Sequence, residues 1–242
     1  MRRARFLAAV ALAALAVGGL SACQVLDHKT FQDDATVSQK VTSIHLDSGN
    51  GGVKVRTSAD AATISVHRKV DYSGAKPTGT SFHVDQGVLT LAGCGHSCGV
   101  DYDVTVPAAL PVTGGTSNGG LMLNGVGAVD VHTSNGEIAV TGATGAVKLR
   151  TSNGEVTVKN AKGGVDAQTS NGGVTIQAVT PQDVRAHTSS GDLTVTMPPA
   201  GYRISADNTN GDKKVAFKDD PAGRYRLDLS TTNGDLTVRS AG

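Results

Sequence analysis

The sequence predicts an all-β chain, a single parallel β-solenoid with two short strands per coil of about 18 residues and an irregular β cap at its N-terminal side. Three observations carry that prediction. First, a phrase keeps returning: Thr-Ser-Asn-Gly at 116–119, 133–136, 151–154 and 169–172, then Thr-Ser-Ser-Gly at 188–191, with 17, 18, 18 and 19 residues between successive threonines. A unit that short cannot bury a core alone and must lean on copies of itself. Second, apolar and polar residues alternate between the phrases, the period of a strand with one buried face. Third, 31 glycines, no Trp and 3% aromatic residues suit thin layers of small β-branched side chains joined by many turns.

In chain order, Arg2, Arg3 and Arg5 form a positive start, and Phe6 to Leu20 is an uncharged apolar run, short for a membrane span but suited to an export signal. It closes in Leu20-Ser21-Ala22-Cys23, which resembles the lipobox of bacterial lipoproteins. Residues 1–22 therefore read as a lipoprotein signal peptide, and Cys23 as the residue that carries a diacylglyceryl group. That modification would hold the chain on the outer face of the cytoplasmic membrane, since two acyl chains anchor far more firmly than one. Residues 23–36 show no periodicity and read as a tether. Cleavage removes three of the 22 basic residues and no acid, leaving 19 against 21 acidic ones. A near-neutral surface without a basic block argues against a nucleic-acid partner.

Residues 37–115 read as the N-terminal β region and cap. Ser43 to Leu46, Val53 to Val55, Thr63 to Val70, Phe82 to Val84, Val88 to Leu91 and Tyr102 to Val106 alternate as strands. Residues 116–242 read as the regular repeats, continuous with the cap in one domain. After each Asn-Gly comes a strand with an inward pair, from Leu121/Leu123 to Leu193/Val195, and after a Gly-rich turn a second, from Val129/Val131 to Ile204/Ala206. Asn-Gly is also the strongest hairpin signal, so an antiparallel meander is the competing topology. Because the motif returns every second strand with unchanged side-chain parity, parallel stacking is favoured. Looser echoes at 208–211 and 231–234 predict further coils, with Tyr225 to Leu229 and Leu236 to Val238 closing the stack. Stacking would align Asn118, Asn135, Asn153, Asn171, Asn210 and Asn233 in one structural ladder, with Asn and Gly taking the left-handed backbone of a sharp corner.

Few residues are candidates for chemistry. Cys94-Gly95-His96-Ser97-Cys98 could offer ligands to a metal, but no fourth ligand is evident, and the spacing is not the Cys-x-x-Cys of a redox site. In an exported chain a Cys94–Cys98 disulfide is the simplest reading. An acidic column follows the Asn-Gly corners, in which Glu137 and Glu155 fall on successive coils. Two carboxylates about 5 Å apart would suit a retaining glycosidase, yet acids beside exposed turns are ordinary solvated residues, and Gly120 and Gly173 leave the same column empty. His132 and His187 share a column with Arg150 and Gln168, a tolerant polar surface. Thr157, Thr175, Thr194 and Thr237 form a partial outward ladder of the kind seen in ice binding, broken by Ala139 and better explained by strand propensity. No cofactor and no metal site is expected.

The coil Thr-Ser-Asn-Gly-Glu-Val-Thr-Val at 151–158, the entry Ser43 to Gly51, the Cys-bounded loop before Val100 to Pro107 and the lipobox together resemble bacterial, and by composition actinobacterial, lipoproteins of the adhesin-like toastrack β-strand repeat family. The resemblance implies a non-enzymatic cell-envelope module with an adhesin-like or envelope-stress-sensing role, and a glycan, peptide or protein of the envelope as its partner. A polysaccharide-active β-helical enzyme and a purely structural envelope protein are the alternatives.

Overall fold

The computed structural model describes residues 28–241, which hold 21 strands and no helix. The signal peptide, Cys23 and the first residues of the expected tether lie outside the described residues. Five coils run in sequence order through the middle: β8 (Val112–Asn118) with β9 (Leu121–Asn124), β10 (Val129–Asn135) with β11 (Ile138–Thr141), β12 (Val147–Asn153) with β13 (Val156–Lys159), β14 (Val165–Asn171) with β15 (Val174–Gln177), and β16 (Val184–Ser190) with β17 (Leu193–Met197). The first strands of the coils pair in parallel in one sheet and the second strands in another, with Val129, Val147, Val165 and Val184 on adjacent rungs. The solenoid expectation holds, and none of the Asn-Gly steps in these coils turns a hairpin.

Inward residues of the two sheets meet in one continuous core. Leu121, Ile138, Val156, Val174 and Leu193 are fully buried on one side, and Leu149, Ala167 and Ala186 on the other. Each coil turns its outward residues to solvent, as the alternating burial of β10 and β12 records.

The ends are not built in chain order. At the N-terminal side β2 (Ser43–Asn50) and β3 (Val53–Thr57) sit directly on β8 and β9, while β6 (Val88–Ala92) and β7 (Cys98–Val106) lie outside them. Antiparallel strands finish the two sheets: β4 (Ile64–Ser73) and then β1 (His28–Val37) beyond β7, and β5 (Phe82–Asp85) beyond β6. At the other side β20 (Tyr225–Asn233) and β21 (Leu236–Ser240) sit on β16 and β17, while β18 (Tyr202–Asn210) and β19 (Lys213–Val215) lie outermost. The expectation that Tyr225 to Val238 closes the stack is thus corrected, because that coil is tucked inside its predecessor. Ile204 and Ala206 are accordingly only partly buried.

The expected tether is shorter than residues 23–36, since His28–Val37 is a strand paired along its whole length with β4. Its period is two, with Phe31, Asp33, Ala35 and Val37 turned inward. A carboxylate in that row hid the alternation, and it is tolerated because Asp33 accepts two hydrogen bonds from the buried Arg68 guanidinium, at 2.6 and 2.7 Å. The division at residue 115 falls inside β8, so cap and repeats share a sheet without a break.

Candidate functional site

The returning phrase builds one corner of every coil. Each corner glycine faces the glycine carbonyl of the neighbouring coil: a Cβ at Gly136, Gly154 or Gly172 would lie 2.0 to 2.1 Å from that oxygen. Their φ values of 155°, 156° and 144° also disfavour a side chain. The ladder asparagines do not share this backbone, because Asn160 and Gln86 are the non-glycine residues with positive φ. The left-handed role expected for them is corrected to glycine alone.

The corner carbonyls of Gly119, Gly136, Gly154, Gly172 and Gly191 receive no backbone N–H, since the chain turns there. The buried threonine of the next coil supplies the missing donor: Thr133, Thr151, Thr169, Thr188 and Thr231 donate from Oγ1 at 2.9 to 3.1 Å. This explains why the phrase begins with Thr. Asn118, Asn135, Asn153 and Asn171 donate in turn from Nδ2 to the preceding asparagine's Oδ1 at 2.8 to 3.0 Å, beginning at Asn50. Sequence reading missed Asn50, although Asn50-Gly51 had the right dipeptide. Ser190 interrupts the ladder, and Asn210 donates to Asn233 beyond it at 3.0 Å.

Cys94 and Cys98 are disulfide-bonded, with Cα atoms 5.8 Å apart. Nearby, Arg68 also donates to Ser81 Oγ and Gly79 O, and the Tyr102 hydroxyl donates among Ser81 O, Ser81 Oγ and Ala92 O within 2.6 to 2.8 Å. Burial pushes the Tyr102 phenol up to about 12, while the hydrogen bond from Arg68 holds the Asp33 carboxyl below its ordinary value. These contacts tie the loop before β5 onto the end of the stack. They are structural in character, and among the described residues no group of three His, Cys, Asp or Glu side chains could hold a metal ion.

Glu137 and Glu155 lie on adjacent rungs, both exposed, beside paired Ile138 and Val156. Further along the same column the acids bond to backbone: Asp192 Oδ1 accepts from the N–H of Asp235, and Asp235 Oδ1 from that of Asp212. These carboxylates replace donors' partners at the corners, which is a structural use of the column.

A continuous polar surface runs along the outer flank of the sheet that holds β8 to β20. A shallow groove of about 400 Å³ runs across it, lined by His132, Arg150, Gln168 and His187 on one side and by Ser134, Ser152, Ser170 and Ser189 on the other. Rungs of this kind repeat every ~4.8 Å. Two residues upstream on each strand, Asp130, Lys148, Asp166, Arg185 and Asp228 follow one another with alternating sign.

The match to known proteins agrees with this architecture. Residues 41–241 match the model of the family described as Toastrack DUF4097. The chain belongs to the Toastrack family. No curated protein matches it. Among solved structures, a candidate cell adhesion protein from Clostridium sporogenes is 14% identical, with 88% of this chain and 100% of that one covered at a TM-score of 0.42. A candidate adhesin from Bacteroides fragilis is 13% identical, with 88% and 97% covered at a TM-score of 0.45.

Within this Toastrack chain the sequence signal brought the ladder asparagines together but did not reveal the charge alternation of the flank. Its last step, from Arg185 to Asp228, appears only when β20 is placed beside β16, because Asp228 lies 43 residues from Arg185 in the chain and one rung away in the sheet. A periodic array of hydroxyl, amide, imidazole and guanidinium donors can hold a repeating acceptor by many weak bonds. Within it, His187 Nδ1 and Ser230 Oγ of the adjacent rung share a hydrogen bond at 2.7 Å.

Proposed function

We propose that this Toastrack protein is a non-enzymatic binding module of the bacterial cell envelope, anchored by a diacylglyceryl group on Cys23, which holds an extended, repeating envelope polymer along the groove of its long flank. The observation that carries the reading is the register of His132, Arg150, Gln168 and His187 on four adjacent rungs, opposite a matching row of serines. Equal spacing lets one polymer engage several rungs, and linked weak contacts gain affinity through effective concentration. No aromatic residue lies between Tyr102 and Tyr202, so recognition would use hydrogen bonds and the Arg150 charge instead of ring stacking. An acidic glycan of the wall suits such a surface.

Anchoring adds a geometry. Five residue steps separate Cys23 from the start of β1 at His28, and a chain that long reaches at most about 17 Å. The N-terminal cap would therefore face the membrane and the groove would stand out from it. Exchange of Cys23→Ser should release the protein from washed membranes, and retention would refute the anchor. For the groove, the combined variant His132→Ala, Arg150→Ala, Gln168→Ala and His187→Ala changes only outward side chains. It should lose saturable retention of isolated acidic wall polymers while keeping the native far-UV spectrum, whereas undiminished retention would refute the groove.

A further inference from the structure

Eight asparagines among the described residues precede glycine, at 50, 118, 124, 135, 153, 171, 210 and 233. In this dipeptide the following main-chain nitrogen meets no side chain on its way to the asparagine carbonyl, so the pair cyclises readily. The glycine amide nitrogen gives up its proton to water and attacks Cγ. The bond from Cγ to Nδ2 then breaks and ammonia leaves a succinimide. Water opens that ring at either carbonyl, giving aspartate or isoaspartate. The balance is one ammonia lost and one water gained.

The stack blocks the reaction in two ways. Gly119 N–H donates to Asn135 O, Gly136 N–H to Asn153 O and Gly154 N–H to Asn171 O, each at 2.9 Å, and Gly51, Gly125, Gly172 and Gly234 donate likewise to the coil beside them. The attacking nitrogen is thus engaged, and along the ladder the bond from the next asparagine holds the target carbonyl as well. Asn171 keeps only the first protection, because Ser190 stands where its ladder donor would be.

Asn210 has neither. It lies on β18, the outermost strand of its sheet, with no coil beyond it to accept from Gly211 or donate to Asn210 Oδ1. Among the described residues neither atom has a hydrogen-bond partner, and both residues are exposed. We propose that Asn210–Gly211 is a site of spontaneous deamidation and isoaspartate formation in the folded protein, the other seven pairs being protected by the stack. The change would add a carboxylate beside Asp212 and, in the isoaspartyl form, a methylene to the main chain of the outermost coil.

The test is to hold the folded full-length protein at mildly alkaline pH and follow the tryptic peptide Ile204–Lys213 by mass and by isoaspartyl content. This peptide should convert first, Asn171 about tenfold more slowly, and Asn118, Asn135 and Asn153 more slowly again, about tenfold for each hydrogen bond retained. In urea the eight rates should converge. Asn210→Ser, which places in this column the residue already present at 190, should abolish the early conversion. If Asn210 reacts no faster than the internal asparagines in the folded protein, or keeps the same lead in urea, the proposal is overturned.

Discussion

The middle and the ends of this stack solve the same packing problem with different chemistry. From β8 to β17 every coil repeats its neighbour, the inward apolar residues are Val, Ile, Leu and Ala with one Gly and one Met, and no Phe, Tyr or Trp is present between Tyr102 and Tyr202. At the ends the rings gather: Phe31 meets Tyr72 with centroids 5.9 Å apart, and Tyr202 meets Phe217 at 5.1 Å. Two sheets joined by short corners leave room between them for aliphatic side chains of matched size, and a ring would fit only where the stack opens. The ends also carry the irregular edges. Asp219 Oδ1 accepts from the Ile204 N–H and Lys213 Nζ donates to Ala206 O, so side chains occupy the outer edge of β18. Repetition therefore serves the interior of the stack, and exceptions serve its termination.

The largest expected break in the comparison is at glycine. Gly172→Ala would place a methyl 2.1 Å from the Gly154 carbonyl oxygen at a φ of 144°, and no neighbour can move without displacing the next coil. Loss of about 3 kcal/mol or more is expected by urea unfolding. Gly74→Ala, at a φ of 83° in the N-terminal end and with nothing within 4 Å of the new methyl, should cost only about 1 kcal/mol for its backbone. Equal losses at the two sites would show that φ, and not the approach of neighbouring coils, makes the corners glycine.

Charge sharpens the contrast by a smaller amount. At the N-terminal end Arg68 is buried and its partner Asp33 partly so, whereas Lys148 and Asp130 on the central flank are exposed and 3.4 Å apart. Asp33→Asn should destabilise by about 2 kcal/mol near neutral pH, because the buried guanidinium loses its ionised partner and one of its two acceptors on residue 33. Lys148→Gln should change stability by less than about 0.5 kcal/mol. The Asp33 carboxyl titrates below its ordinary value in the folded protein, chiefly through the hydrogen bond from Arg68. Its contribution is therefore full above the unfolded value of about 4 and is lost as pH falls through the depressed folded value. Wild type and Asp33→Asn should converge in acid unfolding below that window. A gap that persists there would assign the effect to packing.

Much of this contrast was legible in the sequence, and its limits are physical. The phrase at 116–191 announced coil length, parity and the inward pairs because each requirement acts within a rung. Coil order at the ends was hidden, since Leu227 and Leu229 fit beside Val184 and Ala186 as well as Ile204 and Ala206 would have. A cue did exist in the first position of the phrase. Thr231 has the hydroxyl that the Gly191 carbonyl needs, while Asn208 occupies that position in the coil left outside. β1 was overlooked because Asp33 disguised its inward row. The groove residues were seen as a tolerant column, and their continuity depended on the register between strands, which no single coil contains.

The smallest effect separates the two regions most cleanly. Thr151 Oγ1 is the donor to the Gly136 carbonyl, so Thr151→Val keeps the shape of the side chain and leaves a buried acceptor unpaired. A loss of about 1 to 2 kcal/mol is expected. Ser48 stands in the same column at the N-terminal side, next to Thr116, but the coil outside it lacks the phrase, and its buried Oγ has no partner. Ser48→Ala removes a desolvated hydroxyl that gains nothing from burial, so stability should stay level or rise by up to about 1 kcal/mol. Opposite signs in the two unfolding curves would mean that a hydroxyl in this column stabilises only when an unpaired corner carbonyl waits beside it. Equal losses would instead make the column a matter of side-chain volume, and the threonines of the phrase would then need another explanation.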